Sequence, residues 1–149
     1  MKILFNRVVL LIGLAFSACS GNDKETLLVK GTVKNLDKTI AMFPDAFRNE
    51  SLRLYLHEVP FGKDLQPILL DSVTVTAKEN SFTLKGQTKG TGIYDVMIEN
   101  GPMIPLVNDV HEIMLDIDMS DKDKYYTVNG SDASKQLRDF VLRTAKKGL

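Results

Sequence analysis

The chain has a single cysteine and no tryptophan among its 149 residues. One cysteine excludes an intramolecular disulfide, a CxxC redox pair and a cysteine-rich zinc site. The absence of tryptophan, with aromatic residues at 7%, weakens the case for a platform that stacks bases or sugars. The position of Cys19 therefore becomes the first question that the sequence poses.

An excess of positive charge is also missing, because 19 basic residues balance 19 acidic ones. Nucleic acid is not an expected partner, since phosphate binding needs a surplus of Lys and Arg on one face. The longest apolar run, at residues 8–16, is about half the roughly 20 residues that a membrane-spanning helix needs. The sequence therefore predicts no transmembrane helix in this run.

Residues 1–18 have the layout of a secretory signal peptide. Lys2 and Arg7 precede the apolar run, and the small residues Ser17 and Ala18 follow it. The stretch Phe16-Ser17-Ala18-Cys19 resembles the lipobox of bacterial lipoproteins, although Phe16 departs from the commoner Leu. The resemblance implies that Cys19 is the lipid attachment site, carries fatty acyl chains such as palmitate, and becomes the first residue after cleavage. The alternative is an ordinary cleaved signal with a cysteine nearby by chance.

The lipidated Cys19 and a polar tether occupy residues 19–26 in this interpretation. Seven residues after Cys19 reach at most about 25 Å, so the domain that follows is expected close to the membrane surface. In lipoproteins, retention at the inner membrane usually depends on Asp directly after the cysteine, and Ser20 stands there. We therefore expect an outer-membrane lipoprotein of the cell envelope that faces the periplasm.

Residues 27–130 predict a β-rich domain. Apolar and polar residues alternate with a period of two, as in Leu52, Leu54 and Leu56, and turn residues separate the segments. The predicted strands cover residues 27–34, 52–57, 68–76, 81–87, 93–99, 103–107, 113–119 and 125–128. Pro105 restricts its strand to a sheet edge. The fold class expected is mostly β, an antiparallel β-sandwich or partly open barrel of seven or eight short strands with a C-terminal α-helix.

Two segments differ from this pattern. Residues 37–49 fit neither period and predict an insertion or a short irregular helix. Residues 131–149 predict a C-terminal helix that Ser131 or Asp132 caps, or the start of a linker. The residues at helical spacing in it are Leu137, Phe140, Val141 and Thr144.

Four short motifs carry a resemblance to a known family: Lys30-Gly31-Thr32-Val33-Lys34-Asn35, Leu70-Asp71-Ser72, Ser81-Phe82-Thr83-Leu84-Lys85-Gly86 and Val128-Asn129-Gly130-Ser131. The chain resembles a β-rich domain of unknown function that precedes thioredoxin-like (AhpC/TSA-type) domains in thiol-disulfide oxidoreductase lipoproteins. In those proteins the chemistry belongs to a separate C-terminal domain with CxxC. The resemblance thus carries no catalytic residue onto this chain.

Other site chemistry finds little support. His57 and His111, with Asp109 or Glu112, lack a metal-site spacing and are expected to be solvent-facing or hydrogen-bonded. The acidic residues Asp116, Asp118, Asp121 and Asp123 do not fit a calcium loop, which needs Gly at its sixth position and Glu at its twelfth. They are expected on the outward face of a strand and in the next turn. We predict no catalytic residue, no metal and no cofactor.

Three functions remain open from the sequence. The first is a non-catalytic accessory or interaction domain of a membrane-anchored envelope lipoprotein, associated with a thiol-disulfide redox system. Its partners would be the membrane, through the N-terminal lipid, and an envelope redox protein or a C-terminal thioredoxin-like domain. The second is an N-terminal fragment of a thioredoxin-like oxidoreductase, and the third is a ligand- or glycan-binding β-sandwich.

Overall fold

A computed structural model describes residues 26–42, 50–62, 65–121 and 123–146 of the chain. The predicted signal peptide, Cys19 and the tether up to residue 25 lie outside the described residues. Within the described ranges the chain forms eight strands and two helices. In chain order these are β1 (Thr26–Lys34), α1 (Leu36–Met42), β2 (Ser51–Val59), β3 (Ile68–Thr76), β4 (Ser81–Gln87), β5 (Ile93–Ile98), β6 (Met103–Val107), β7 (Glu112–Asp118), β8 (Tyr126–Asn129) and α2 (Asp132–Lys146).

The strands form two four-stranded sheets, and these are not closed into a barrel. The first sheet has the order β4-β1-β7-β8, and the second has the order β3-β2-β5-β6. The expectation of a mostly β fold with a C-terminal helix is confirmed, and the sandwich is the form that it takes. One pair departs from the expected antiparallel arrangement, because β1 and β7 are parallel. The chain between them, which includes strands β2 to β6, supplies the long crossover that parallel neighbours require.

The core lies between the sheets and follows the alternation in the sequence. Leu52, Leu54 and Leu56 on β2 are fully buried, and Ile113, Leu115 and Ile117 on β7 are fully buried opposite them in the same cluster. Each of these strands turns its intervening residues to an outer face. The strand β6, which holds Pro105, lies at a sheet edge as predicted.

The two long edges of the sandwich are closed differently. At the β3–β4 edge, the Asp71 carboxylate accepts a hydrogen bond of 2.8 Å from the Lys85 amide of the other sheet. At the β6–β8 edge, the Ser134 hydroxyl donates to the Val107 carbonyl and accepts from the Val107 amide. The helix α2 therefore covers this edge through a polar anchor.

The anchor of α2 differs from the predicted apolar face. Ser131 and Ser134 are fully buried, and the Ser131 hydroxyl accepts the Ser134 amide as the helix N-cap. Phe140, which the spacing placed with Leu137 and Val141, is 62% exposed. The helix meets the polar backbone of the β6 edge strand at Val107. Small hydroxyl side chains rather than an aromatic ring therefore make this contact. The remaining helix, α1, begins after Asn35 in a left-handed conformation (φ 57°) and buries Leu36.

The chain begins its first strand at one end of the sandwich, which we call the proximal end. Thr26 pairs with Gln87, the last residue of β4, and residues 88–92 lead from there to Ile93 in the other sheet. Ile93 pairs with Val59 at the end of β2. The β2–β3 connection therefore lies at the proximal end too, together with the start of β1.

Candidate functional site

The outer face of the first sheet is polar, and its groups bind one another. Lys30 forms an ion pair of 2.5 Å with Glu112. The Thr32 hydroxyl donates to Asp116 at 2.7 Å. Such a solvated surface needs no partner to satisfy its hydrogen bonds.

The outer face of the second sheet has a buried charge at its centre. Because Leu54 and Leu56 point inward, Tyr55 and His57 point outward on β2. The register pairs His57 with Asp95 on β5, and His57 Nδ1 lies 2.9 Å from Asp95 Oδ1. Asp95 is only 2% exposed. The Tyr55 ring stacks on the imidazole at 6.2 Å between centroids.

The His57–Asp95 pair fixes the orientation of the imidazole. A carboxylate that accepts a hydrogen bond from Nδ1–H leaves Nε2 as the acceptor in the neutral ring. The second carboxylate oxygen, Asp95 Oδ2, is buried and has no hydrogen-bond partner among the described residues. The residues paired with His57 across the sheet are Asp95 and Leu69, so these positions supply no hydroxyl or thiol nucleophile. The arrangement can accept a hydrogen bond or a proton at Nε2.

Apolar side chains surround this pair on the same face. Ile93 and Met97 flank Asp95 along β5, and Pro105 lies opposite it on β6. Met103, further along β6, is 58% exposed. Around the His57–Asp95 pair the outer surface of β5 and β6 is therefore largely apolar, whereas Arg53 and Thr74 make the neighbouring part of β2 and β3 polar.

A pocket of about 280 Å³ opens at the proximal end. Its walls are residues 58–61 after β2 and residues 89–94 before and within β5. Tyr94 forms its floor and is 1% exposed; burial raises the pKa of the phenol, and Glu58 raises it further, against a hydrogen bond with Thr88 that lowers it. Asn108 holds the loop, since its side-chain amide donates to the Gly90 carbonyl at 2.8 Å.

Exposed apolar side chains lie in the β2–β3 connection and at the start of β3, beside this pocket. We call four of them the apolar tip: Phe61 (75% exposed), Leu65 (53%), Ile68 (48%) and Leu69 (55%). Isolated exposed hydrophobic residues are normal, but four of them within residues 61–69 mark a surface that contacts something else.

A larger cleft of about 460 Å³ lies between α2 and the turn before β8. Its walls carry Lys124, Arg138 and Arg143 together with Asp123 and Asp139. The two arginines already have partners, because Arg138 donates to the Tyr126 carbonyl and Arg143 donates to the Asp139 carbonyl. The mixed charge and these internal bonds favour a structural role for the cleft.

The structure separates the residues considered for a metal. His111 Nδ1 lies 2.6 Å from the Thr26 carbonyl, Asp109 binds Ser131 at the start of α2, and Glu112 pairs with Lys30. His57 instead binds Asp95, which the sequence analysis missed. The signal for Asp95 was a lone acid within the apolar strand of residues 93–98.

The four acidic residues of the calcium hypothesis lie where the strand pattern predicted. Asp116 and Asp118 are on the outer face of β7, and Asp118 accepts hydrogen bonds from Asn35 and Ser120. These bonds lower the pKa of Asp118. Asp121 accepts the amides of Asp123 and Lys124 in the next turn. Among the described residues, no group of three or more His, Cys, Asp and Glu side chains could hold a metal ion.

The lipid attachment predicted at Cys19 lies outside the described residues and stays a prediction. In the part of the chain that the structure covers, neither helix has the length and apolar character needed to cross a bilayer.

Comparisons with known proteins give one match. No curated protein and no solved structure matches the chain significantly. A family model does match, over residues 27–137, and it covers every strand of the sandwich and the first part of α2. Because the match extends over more than half of the chain, the protein belongs to the family described as Domain of unknown function (DUF4369).

Proposed function

We propose that this chain is a non-catalytic accessory domain of a bacterial envelope lipoprotein, and that it binds a component of a thiol-disulfide system. The observation that carries the proposal is the contrast between the two outer faces of the sandwich. One face satisfies its own polar groups, and the other exposes Met103 beside Met97, Tyr55 and the His57–Asp95 pair.

The composition of the second outer face suits a protein partner. The centres of protein interfaces are enriched in aromatic residues and Met and are depleted of charge. The His57–Asp95 pair is mostly buried, with the His57 side chain 14% exposed, and in the neutral imidazole Nε2 can accept a hydrogen bond from a partner. Flat strand surfaces of this kind accept a complementary protein surface more readily than they enclose a small ligand.

The link to thiol-disulfide chemistry comes from the family resemblance of the sequence. The one cysteine of the chain is the predicted lipid site, so redox cysteines would have to come from another domain or protein. A thioredoxin-like domain, in the same polypeptide or separate, is the expected source. The domain would position that partner at the membrane.

The position of Cys19 and the start of β1 support the proposed location. Thr26 is the first residue of the strand, so a lipid on Cys19 would hold the sandwich within about 25 Å of the bilayer. Ser20, in place of Asp, favours the outer membrane and a periplasmic orientation.

Site-specific cross-linking tests the partner. A photoreactive phenylalanine analogue replaces Met103 on the second outer face or, as matched control, Met114, which is 41% exposed on the first. We expect the Met103 variant to be cross-linked in cells to a domain with CxxC, identified by mass spectrometry, and the Met114 variant not to be. Equal cross-linking from both faces, or a product without redox cysteines, would contradict the proposal.

Mass spectrometry of the mature N-terminus tests the anchor. The expected N-terminal peptide begins at Cys19 and carries the mass of a diacylglyceryl group and an additional acyl chain. An unmodified Cys19, or a peptide that still contains residues 1–18, would disprove the lipid anchor while leaving the interaction surface to be judged by the cross-linking.

A further inference from the structure

The apolar tip is held in place by the local structure. Gly62 has φ 143°, and a Cβ there would approach Leu65 Cδ1 to 2.9 Å, so the turn packs closely on Leu65. The register of β2 and β3 shifts between Leu56 and His57, after which Ile68 pairs with Glu58. Because of this irregularity, side chains at the end of the hairpin no longer alternate between the two faces of the sheet. The tip thus exposes apolar side chains that a regular continuation would have divided between two faces.

The two ends of the sandwich differ in chemistry. At the proximal end the β2–β3 connection carries the apolar tip, with Phe61 exposed over three quarters of its surface. At the opposite end, the β3–β4 turn is Lys78-Glu79-Asn80 and the β5–β6 turn is Asn100-Gly101-Pro102. The proximal end therefore carries a group of exposed apolar residues, with Lys63 and Asp64 in the same connection, whereas the opposite end carries polar turns and the single exposed Met103.

The start of β1 connects the tip to the membrane. Thr26 lies at the proximal end, where its strand pairs with the last residue of β4. The seven residues from Ser20 to Thr26 reach only about 25 Å when fully extended. A lipid on Cys19 therefore draws this end of the sandwich, rather than the opposite end, toward the bilayer.

We infer that the apolar tip inserts into the outer part of the bilayer and fixes the orientation of the anchored domain. This inference rests on the proposed lipid anchor. The occupant is the lipid surface itself, at the depth where headgroups meet acyl chains. A shallow position suits a hairpin, since its turn backbone can stay hydrated there while the side chains of Phe61, Leu65 and Leu69 enter the apolar boundary.

This orientation has a consequence for the partner surface. With the proximal end on the bilayer, the strands run roughly perpendicular to the membrane, and the second outer face points parallel to the membrane surface. Met97 and Met103 would then be open to a partner that is itself near the membrane.

Tryptophan fluorescence tests the insertion, because the chain has no tryptophan of its own. Phe61→Trp places one fluorophore at the tip, and Met103→Trp places one at the opposite end as a matched control of similar exposure. The full-length protein, expressed with its signal and purified in its lipidated form, is reconstituted into zwitterionic phosphatidylcholine vesicles. Flotation measures anchoring, and quenching by brominated acyl chains measures insertion.

The expected result is co-flotation of both variants, with a blue shift and strong quenching for Phe61→Trp and neither effect for Met103→Trp. Adding Leu69→Ser to Phe61→Trp should weaken the quenching, because it removes apolar area from the tip without touching the core. Co-flotation with no quenching of Phe61→Trp, or equal quenching of both variants, would overturn the insertion and leave the anchor standing. Failure of both variants to float would disprove the anchor, and the insertion with it.

Discussion

At the scale of single residues, the outer face of the second sheet depends on Asp95 and His57. A carboxylate at 2% exposure costs several kcal/mol unless a partner compensates it, and here the imidazole does so on one oxygen alone. Apolar residues of similar volume would give a face at least as stable. The pair is thus more costly than a structural role requires, which supports a role in recognition.

The first prediction concerns this pair. His57→Leu should lower the free energy of unfolding by about 3–5 kcal/mol, because Asp95 then lies buried without a partner. The double variant His57→Leu/Asp95→Val should recover most of that loss, because no buried carboxylate is left without a partner and the surface is apolar. Urea unfolding of the four members of the cycle measures the coupling. A double variant no more stable than His57→Leu would show that the pair itself holds the sheet together.

The second residue-scale prediction concerns Tyr126. Its ring is 1% exposed and lies under Arg138, whose guanidinium carbon is 5.7 Å from the ring centroid. Its hydroxyl is buried without a hydrogen-bond partner among the described residues. Tyr126→Phe should therefore raise the free energy of unfolding by about 1 kcal/mol, since it keeps the ring and removes an unsatisfied polar group.

The control for Tyr126 is its neighbour Tyr125, which is half-buried and whose hydroxyl reaches the Met103 carbonyl at 3.5 Å. Tyr125→Phe should change the stability by less than about 0.5 kcal/mol, as most changes outside the core do. A loss of stability in Tyr126→Phe would mean that its hydroxyl has a partner, such as an ordered water, that stabilises the fold.

At the scale of elements, the parallel pair β1–β7 forms the centre of the first sheet. Gly31 pairs with Leu115, and the two backbones approach so closely that a Cβ at Gly31 would lie 1.7 Å from the Leu115 carbonyl oxygen. A side chain cannot be accommodated at that distance without moving one strand. The close approach of the two backbones thus explains why glycine occupies position 31.

The third prediction follows from that contact. Gly31→Ala should lower the free energy of unfolding by about 3 kcal/mol or more, because the methyl group meets backbone that cannot swing aside. Gly92→Ala is the matched control, since its Cβ would meet Tyr94 at 3.5 Å, an ordinary contact. Urea midpoints of the two variants give the comparison. Equal stability of both would show that β1 and β7 can separate without cost.

At the scale of the whole molecule, the buried tyrosines set the response of the fold to alkaline pH. Burial raises the pKa of Tyr126 to about 12, with a further rise from Tyr125 and an opposing effect of Arg138. Burial also raises the pKa of Tyr94 and Tyr125. A raised pKa means that the folded state keeps a phenolic proton that the unfolded chain has already released.

The fourth prediction gives this effect its sign. The stabilisation is fully present below the unfolded pKa of about 10 and is lost as the pH rises from there toward about 12. Each tyrosine contributes at most about 1.4 kcal/mol per pH unit. Urea unfolding at several pH values above 9 should show the decline, and Tyr126→Phe should flatten it. An identical slope in the variant would show that Tyr126 does not titrate with folding.

Much of this protein could be predicted from its sequence alone, because alternation of apolar and polar residues reports burial locally. The strands at residues 68–76, 81–87 and 103–107 have the predicted bounds, and the edge position of β6 follows from Pro105. The inward faces of β2 and β7 were likewise correct. The lipid site at Cys19 lies outside the described residues and stays a prediction.

The tertiary structure alone decided which strands became neighbours. The parallel pairing of β1 with β7, the union of His57 with Asp95 and the exposure of Phe140 on α2 all depend on where distant segments meet. Periodicity shows which side of a strand is buried, but it does not show against which strand, because any apolar surface satisfies the same local pattern. Register and crossover are fixed when the whole chain packs around one core, and only then do distant residues such as His57 and Asp95 meet on one outer face.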